Sequence, residues 1–258
     1  MTGGRRRGLL AVGVVVLMVV AGCGGLSGDG TPTPTTTATP DDGMTFPTGF
    51  GEDGVTDGAA ALNGHTNVLL AQGNFTFVFV SESETAGGTT NTTLVNRVDT
   101  ERRIALRTVS RPDAVATQYV AGGTAYTRIE PRDNRAVQYR SASERVDPNG
   151  ATARALVRAL MDGVSWETPE QVTVDGEQAV RYEAASLTNA SAVLDVEAGA
   201  VDSFEGSLVV ATSGVVREVT YAATYTSDGR EVTDLVTVRF EDVGTTDSEE
   251  PAWVDRQF

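Results

Sequence analysis

The chain has 258 residues, 40% of them hydrophobic, and carries 35 Asp and Glu against 20 basic residues, a formal charge of −15. All of the basic residues are Arg, and there is one Cys and one His. These counts exclude an internal disulfide and a zinc site built from Cys and His. They also weigh against nucleic acid as a partner, whose phosphates require a clustered basic face.

Residues 1–22 read as a cleaved leader. Arg5-Arg6-Arg7 precede a 14-residue run from Gly8 to Ala21 that contains only Gly and apolar side chains. A membrane-spanning helix needs about 20 apolar residues, so the run has the length of a signal-peptide core instead. The string Arg6-Arg7-Gly8-Leu9-Leu10 resembles a twin-arginine export signal. Val20-Ala21-Gly22-Cys23 resembles the lipobox of bacterial and archaeal lipoproteins, which implies cleavage before Cys23 and a lipid on its sulfur. The implied place is the outer face of the cell membrane, with the membrane itself as partner. A single lipid chain binds only marginally, so firm anchoring needs a two-chain lipid.

Removing the leader leaves 17 Arg against 35 Asp and Glu, a formal charge of −18. Self-repulsion of that size opposes compaction in dilute buffer, whereas salt at about 1 M shortens the screening length to about 3 Å. The acidity, the absence of Lys and the scarcity of Cys and His together resemble haloarchaeal proteins.

Residues 23–54 read as a lipidated cysteine followed by a Gly/Thr/Pro-rich tether. Thr31–Pro40 is almost wholly Thr and Pro and should stay extended, with threonines open to O-linked sugar or left unmodified. The Gly- and Asp-rich stretch 41–54 continues it, placing the start of the domain near Val55.

Over Asp57–Ala71 the spacing of Ala60, Ala61, Val68 and Leu69 predicts a helix stopped by Gly73. The period then becomes two: Asn74–Glu84 sets Phe75, Phe77 and Phe79 on one face and Thr76, Val78 and Val80 on the other. Further strands are predicted at Thr92–Val98, Arg103–Ser110, Val115–Val120, Ala125–Glu130 and Ala136–Arg140. A second helix follows over Ala151–Met161, with Ala155, Leu156, Ala159 and Leu160 as its apolar stripe and Arg154 and Arg158 opposite. Strands resume at Glu170–Val174, Ala179–Ala184, Ser207–Thr212, Val215–Thr226 and Glu231–Glu241. Asp175-Gly176, Ser213-Gly214 and Asp228-Gly229 occupy hairpin positions, and residues 187–202 fit no single pattern. The predicted class is α+β, mainly β: a curved antiparallel sheet or half-open β-barrel over residues 55–244 with about two covering helices. Residues 245–258 read as an acidic C-terminal tail in which Trp253 either tucks back against the sheet, the favoured reading, or binds a neighbour.

The order of lipobox, tether, helix, meander, mid-chain helix and second meander, with Val180-Arg-Tyr-Glu-Ala184 before Gly206–Val216, resembles haloarchaeal lipoproteins of unknown function. The layout from Val55 to Gly244 is similar to LolA-like carriers and mycobacterial lipoproteins. Their half-barrel and helical lid enclose an apolar cavity, so the resemblance implies a lipid or other apolar ligand. Phe75, Phe77 and Phe79, joined by Trp166, are the candidate lining; the same residues would serve equally as a packed core in a structural or interaction domain of the cell surface.

An enzyme is not expected, a carboxylate-based hydrolase being the one enzymatic alternative that the composition leaves open. His65 sits in the first helix with no nucleophile motif around it, and no spaced carboxylate or calcium-loop pattern points to a metal or cofactor. Asn74-Phe-Thr76, Asn91-Thr-Thr93 and Asn189-Ala-Ser191 are N-glycosylation acceptors consistent with an extracellular position. Of the three, Asn91 is the best placed, in a loop-like Gly- and Thr-rich stretch.

Overall fold

The computed structural model describes residues 44–258. Arg6, Arg7, Cys23 and the tether as far as residue 43 lie outside the described residues.

The described chain packs well before Val55. Met44 and Phe46 lie against the core and Phe50 is buried in it. Strands β1 (Phe50–Gly51) and β2 (Gly54–Val55) form a small antiparallel pair. The tether expected through residue 54 is therefore a structured strap over residues 44–56. Two glycines permit it: at φ +87° and +86° respectively, a Cβ on Gly49 would stand 2.4 Å from the Ala61 amide and one on Gly54 2.2 Å from the Trp166 carbonyl oxygen.

Helix α1 (Gly58–Gln72) is capped by Asp57, whose carboxylate accepts from the Ala60 amide at 2.9 Å, and is closed by Gly73 at φ +79°. It buries Ala61, Leu62, His65, Thr66 and Leu69. The first meander follows as β3 (Asn74–Thr85), β4 (Gly88–Asp99), β5 (Ile104–Ser110), β6 (Ala114–Ala121), β7 (Thr124–Pro131) and β8 (Gln138–Ser143). Helices α2 (Pro148–Ala151) and α3 (Arg154–Gly163) lead into β9 (Val164–Val174) and β10 (Glu177–Leu187). The ambiguous stretch resolves into a short helix α4 (Ala190–Leu194) and a 3-10 turn. Strands β11 (Val201–Ala211), β12 (Val216–Ser227) and β13 (Arg230–Glu241) and a final turn α5 (Val254–Gln257) complete the chain.

All but β1 and β2 join one curved, unclosed antiparallel sheet in the order β8-β7-β6-β5-β4-β3-β13-β12-β11-β10-β9. Two meanders thus meet at a β3–β13 seam running from Val232↔Thr85 to Glu241↔Thr76. The β9–β10 and β12–β13 hairpins turn on Asp175-Gly176 and Asp228-Gly229, with positive φ at both central residues, as type I′ turns demand.

The second helix differs from its predicted form. Ala153, at φ +50°, breaks it into α2 and α3, and α3 turns Val157, Leu160 and Met161 into the core, so that of the expected Ala155/Leu156/Ala159/Leu160 stripe only Leu160 is buried. The break resets the helical phase, leaving Ala155 exposed and Leu156 half-buried.

The C-terminal segment also packs. The Thr246 amide donates to Asn74 Oδ1 at 2.8 Å, Ser248 is buried, and Trp253 and Val254 join Tyr119 on the outer face of the sheet, with Trp253 lying 6.1 Å from the Tyr139 ring. Asp247, Glu249 and Glu250 remain exposed, so the acidic side chains of this segment are solvated while its Thr246, Ser248, Trp253 and Val254 are buried.

Gly54→Ala combines a left-handed backbone with a backbone clash and is expected to lower the unfolding free energy by about 2 kcal/mol or more. Chemical denaturation reads this directly, and unchanged stability would return residues 44–56 to the tether.

Candidate functional site

The inner face of the sheet, the one covered by α1 and α3, carries Phe75, Phe77 and Phe79 on β3. Their cross-strand partners are Val98, Asn96 and Leu94 on β4, with Phe240 and Val238 of β13 beside Phe77 and Phe79. The three phenylalanines have different fates. Phe75 is fully buried, with its ring centroid 6.3 Å from that of Phe240. Phe77 is buried but reaches an apolar cleft, and Phe79 is half-buried and faces it.

The cleft measures about 610 Å³ and opens to solvent under α3. Phe77, Phe79 and Leu94 line its sheet side; Asn149 and Gly150 of α2, then Ala153, Arg154, Ala155, Leu156 and Arg158 at the start of α3, line the other. That volume falls within the range of about 300–1,000 Å³ usual for small-molecule sites. Trp166, expected in this lining, is instead a core residue: it is 3% exposed and its indole N–H donates to the Leu160 carbonyl at 3.3 Å beneath α3. Trp166 lies too deep because α3 and the strap close over it, and Phe75 because it packs on Phe240 on the side of α1 and its His65. Leu94 went unrecognised in the sequence because the β3–β4 register sets it beside Phe79, and the α3 residues because their place depends on the break at Ala153.

A smaller polar pocket adjoins the cleft across Gly150, lined by Asn96, Arg107, Glu144 and Arg145 among others. There Gln118 accepts from Arg107 at 3.1 Å and donates to Glu144 at 3.2 Å.

The glycosylation candidates occupy different settings. Asn74 is held by Thr246, and Asn189 caps α4 by accepting from the Ala192 amide at 3.1 Å. Asn91 is exposed, but on strand β4 opposite Glu82, not in a loop.

His65 is structural. It is completely buried on α1, its Nε2–H donates to the Thr152 carbonyl and its Nδ1 accepts from the Val216 amide, each at 3.2 Å, while Phe240 meets the ring edge-on at 4.6 Å. With both ring nitrogens committed to backbone, the imidazole joins α1 to the α2–α3 junction and to β12. Burial lowers its pKa to about 4; the Thr152 bond opposes the shift and the charge of Arg154 adds to it.

The chain belongs to the family of unknown function DUF7537, whose model matches residues 8–257. Comparison with curated proteins finds no match. Among solved structures, the chain is similar to the Mycobacterium tuberculosis lipoprotein LppX (TM-score 0.39, 8% identity, covering 74% of this chain and 98% of that one). It is also similar to a LolA superfamily protein from Nitrosomonas europaea (TM-score 0.26, 8% identity, 71% and 92%). A DUF1329 family protein from Desulfovibrio piger gives a TM-score of 0.27 at 8% identity over 74% and 95% of the two chains.

The state of His65 sets a pH dependence. The unfolded imidazole takes up a proton near pH 6.5 and the folded one only near 4. Between these values the unfolded state binds more protons, so stability is full above pH 6.5 and falls as pH drops toward 4, by about 3 kcal/mol in all. Denaturant titrations at pH 7 and pH 4 should show this loss in the wild type. His65→Leu, less stable at pH 7, should lack that share of the slope; parallel slopes would refute the assignment.

Proposed function

We propose that this member of the DUF7537 family binds an apolar or lipid-like ligand in the cleft beneath α3 and is held at the outer membrane face by a lipid on Cys23. The carrying observation is the cleft itself, an opening of about 610 Å³ whose sheet side is Phe77, Phe79 and Leu94. Burial of a chain against such a surface gains about 25 cal/mol per Å² of apolar area removed from water, with no polar partner to satisfy. His65, locked between two backbone groups and buried, offers no free imidazole to a substrate, which supports a binding role. The lipobox-like Val20–Cys23 and the Thr/Pro-rich residues after it support the anchor, placing the domain beside the membrane from which such a ligand would come.

Native mass spectrometry with lipid extraction, on the chain purified from its own kind of host in high salt, is expected to show a co-purifying apolar molecule. Phe79→Asp should abolish it; this position is preferable to Phe77, whose burial would confuse loss of ligand with loss of fold. A clean ligand-free mass for the wild type would favour a surface-interaction domain instead.

The anchor has its own test. Cys23→Ser should move the protein from membranes to the medium or leave an uncleaved precursor, read by fractionation and intact mass. An unchanged lipidated product would remove Cys23 from the proposal.

A further inference from the structure

The two sides of the cleft differ in charge. From the sheet come aromatic and aliphatic side chains; from α3 come Arg154 and Arg158, one helical turn apart. Of the 17 arginines among the described residues, Arg102, Arg128, Arg135, Arg217 and Arg239 form ion pairs with carboxylates and the other twelve do not. Neither cleft arginine forms an ion pair among the described residues. Arg154 donates to Thr66 Oγ1 at 3.0 Å and to Asn63 Oδ1 at 2.9 Å, neutral partners that fix the guanidinium without cancelling its charge. Arg158 is exposed. The nearest acid on the same helix, Asp162, is turned toward the start of α1, with its Oδ1 2.9 Å from where a Cβ on Gly58 would stand.

The helix end adds to this field. No side chain caps α3 and no acid lies in its first turn. Its first i→i−4 bond is the one Val157 donates to Ala153 at 3.0 Å, so the Arg154, Ala155 and Leu156 amides precede the ladder at the edge of the cleft. Side chains four apart on a helix stand about 6 Å from each other at Cβ, close enough to share one phosphate- or carboxylate-sized group.

We infer that the cleft is selective for an anionic amphiphile, with the charged head between Arg154 and Arg158 at the start of α3 and the hydrocarbon chain along Phe79, Leu94 and Leu156. This rests on the apolar-ligand reading above and adds the chemistry of the head. A neutral hydrocarbon would leave the two guanidiniums unused, and a cationic head would be repelled by them. An anion approaching a protein this acidic needs such a positive patch to offset the overall repulsion.

The test uses the full chain carrying Cys23→Ser, so that no anchor lipid competes, at the lowest salt in which it stays folded. Probes sharing one twelve-carbon chain isolate the head: dodecyl phosphate, dodecyl maltoside and dodecyltrimethylammonium, with inorganic phosphate as the head alone. Dodecyl phosphate is expected to bind about tenfold or more tighter than dodecyl maltoside, and dodecyltrimethylammonium more weakly than either. Arg158→Gln, at an exposed side chain, should erase most of the advantage of dodecyl phosphate over dodecyl maltoside. Arg154→Gln/Arg158→Gln should erase the rest. Equal binding of all three detergents, lost together on Phe79→Asp, would overturn the charged-head inference and leave the apolar-ligand reading standing. Binding of dodecyl phosphate that inorganic phosphate matches and Phe79→Asp does not weaken would reduce the site to an anion contact and overturn it too. Failure of every twelve-carbon probe to bind would overturn both readings at once.

Discussion

A sheet of eleven strands that does not close on itself must find cover for its inner face. Strands spaced at about 4.8 Å give it a width of about 48 Å along the curve, whereas helices of 15 and 10 residues reach only about 22 and 15 Å. Two helices therefore cannot seal the surface, and the remaining cover comes from pieces that are not regular elements. The strap over residues 44–56 closes the side of Trp166 and Tyr182, where Phe50 stacks on Tyr182 with centroids 5.9 Å apart. Val146 and Ala151, flanking and within α2, shelter part of the β4–β7 side. What stays open lies over β3 and β4, next to the seam, where the cleft is found.

Fixing the helices over so broad a face requires more than apolar contact, which is non-directional. His65 supplies the direction. A buried imidazole with both nitrogens satisfied by backbone groups from Thr152 and Val216 specifies where α1 stands relative to the α2–α3 junction and β12. Leaving either backbone group unpartnered would cost about 1–3 kcal/mol, so the arrangement resists sliding. Arg154 reinforces it by bonding Thr66 and Asn63 across the same junction. The residue that raised the question of catalysis thus works as a pin, and the arginine beside it serves both the pin and the cleft.

Much of this was legible in the sequence because strands announce themselves by period and hairpins by their turn residues. Eleven predicted strand segments correspond to the eleven strands of the main sheet, and Asp175-Gly176 and Asp228-Gly229 turn where expected. Ends were less legible: β9 begins at Val164, not Glu170, and β11 at Val201, not Ser207, because pairing with a neighbour extends a strand past its own pattern. The strap was hidden by composition, since a stretch rich in Gly and Asp reads as solvated whether or not its few apolar residues have a surface to meet. Of the four candidate lining residues, Phe77 and Phe79 reach the cleft while Phe75 and Trp166 do not. Alternation assigns a face, but the depth along that face depends on which helix covers which strand. The α3 contribution was illegible for a similar reason, because a single left-handed alanine changes the phase of everything after it.

That alanine bears on whether the cleft is a packing accident. A non-glycine residue at positive φ costs about 1–2 kcal/mol, and here it serves no cap, since Ala153 makes no side-chain bond to the helix it precedes. What it achieves is orientation: with the chain broken there, α3 sends Val157, Leu160 and Met161 into the core while leaving Leu156 over Phe79 and Leu94. Apart from Leu156, Asn149 and the polar Arg154 and Arg158, the helix side of the cleft is small, Gly150, Ala153 and Ala155, facing large residues on the sheet. A leucine at the exposed Ala155 would extend over the same gap and gain burial of about 0.8 kcal/mol for each methylene covered. Stability alone would favour filling that space, so the pairing of a strained break with small side chains along one wall fits a surface kept open for something else to cover.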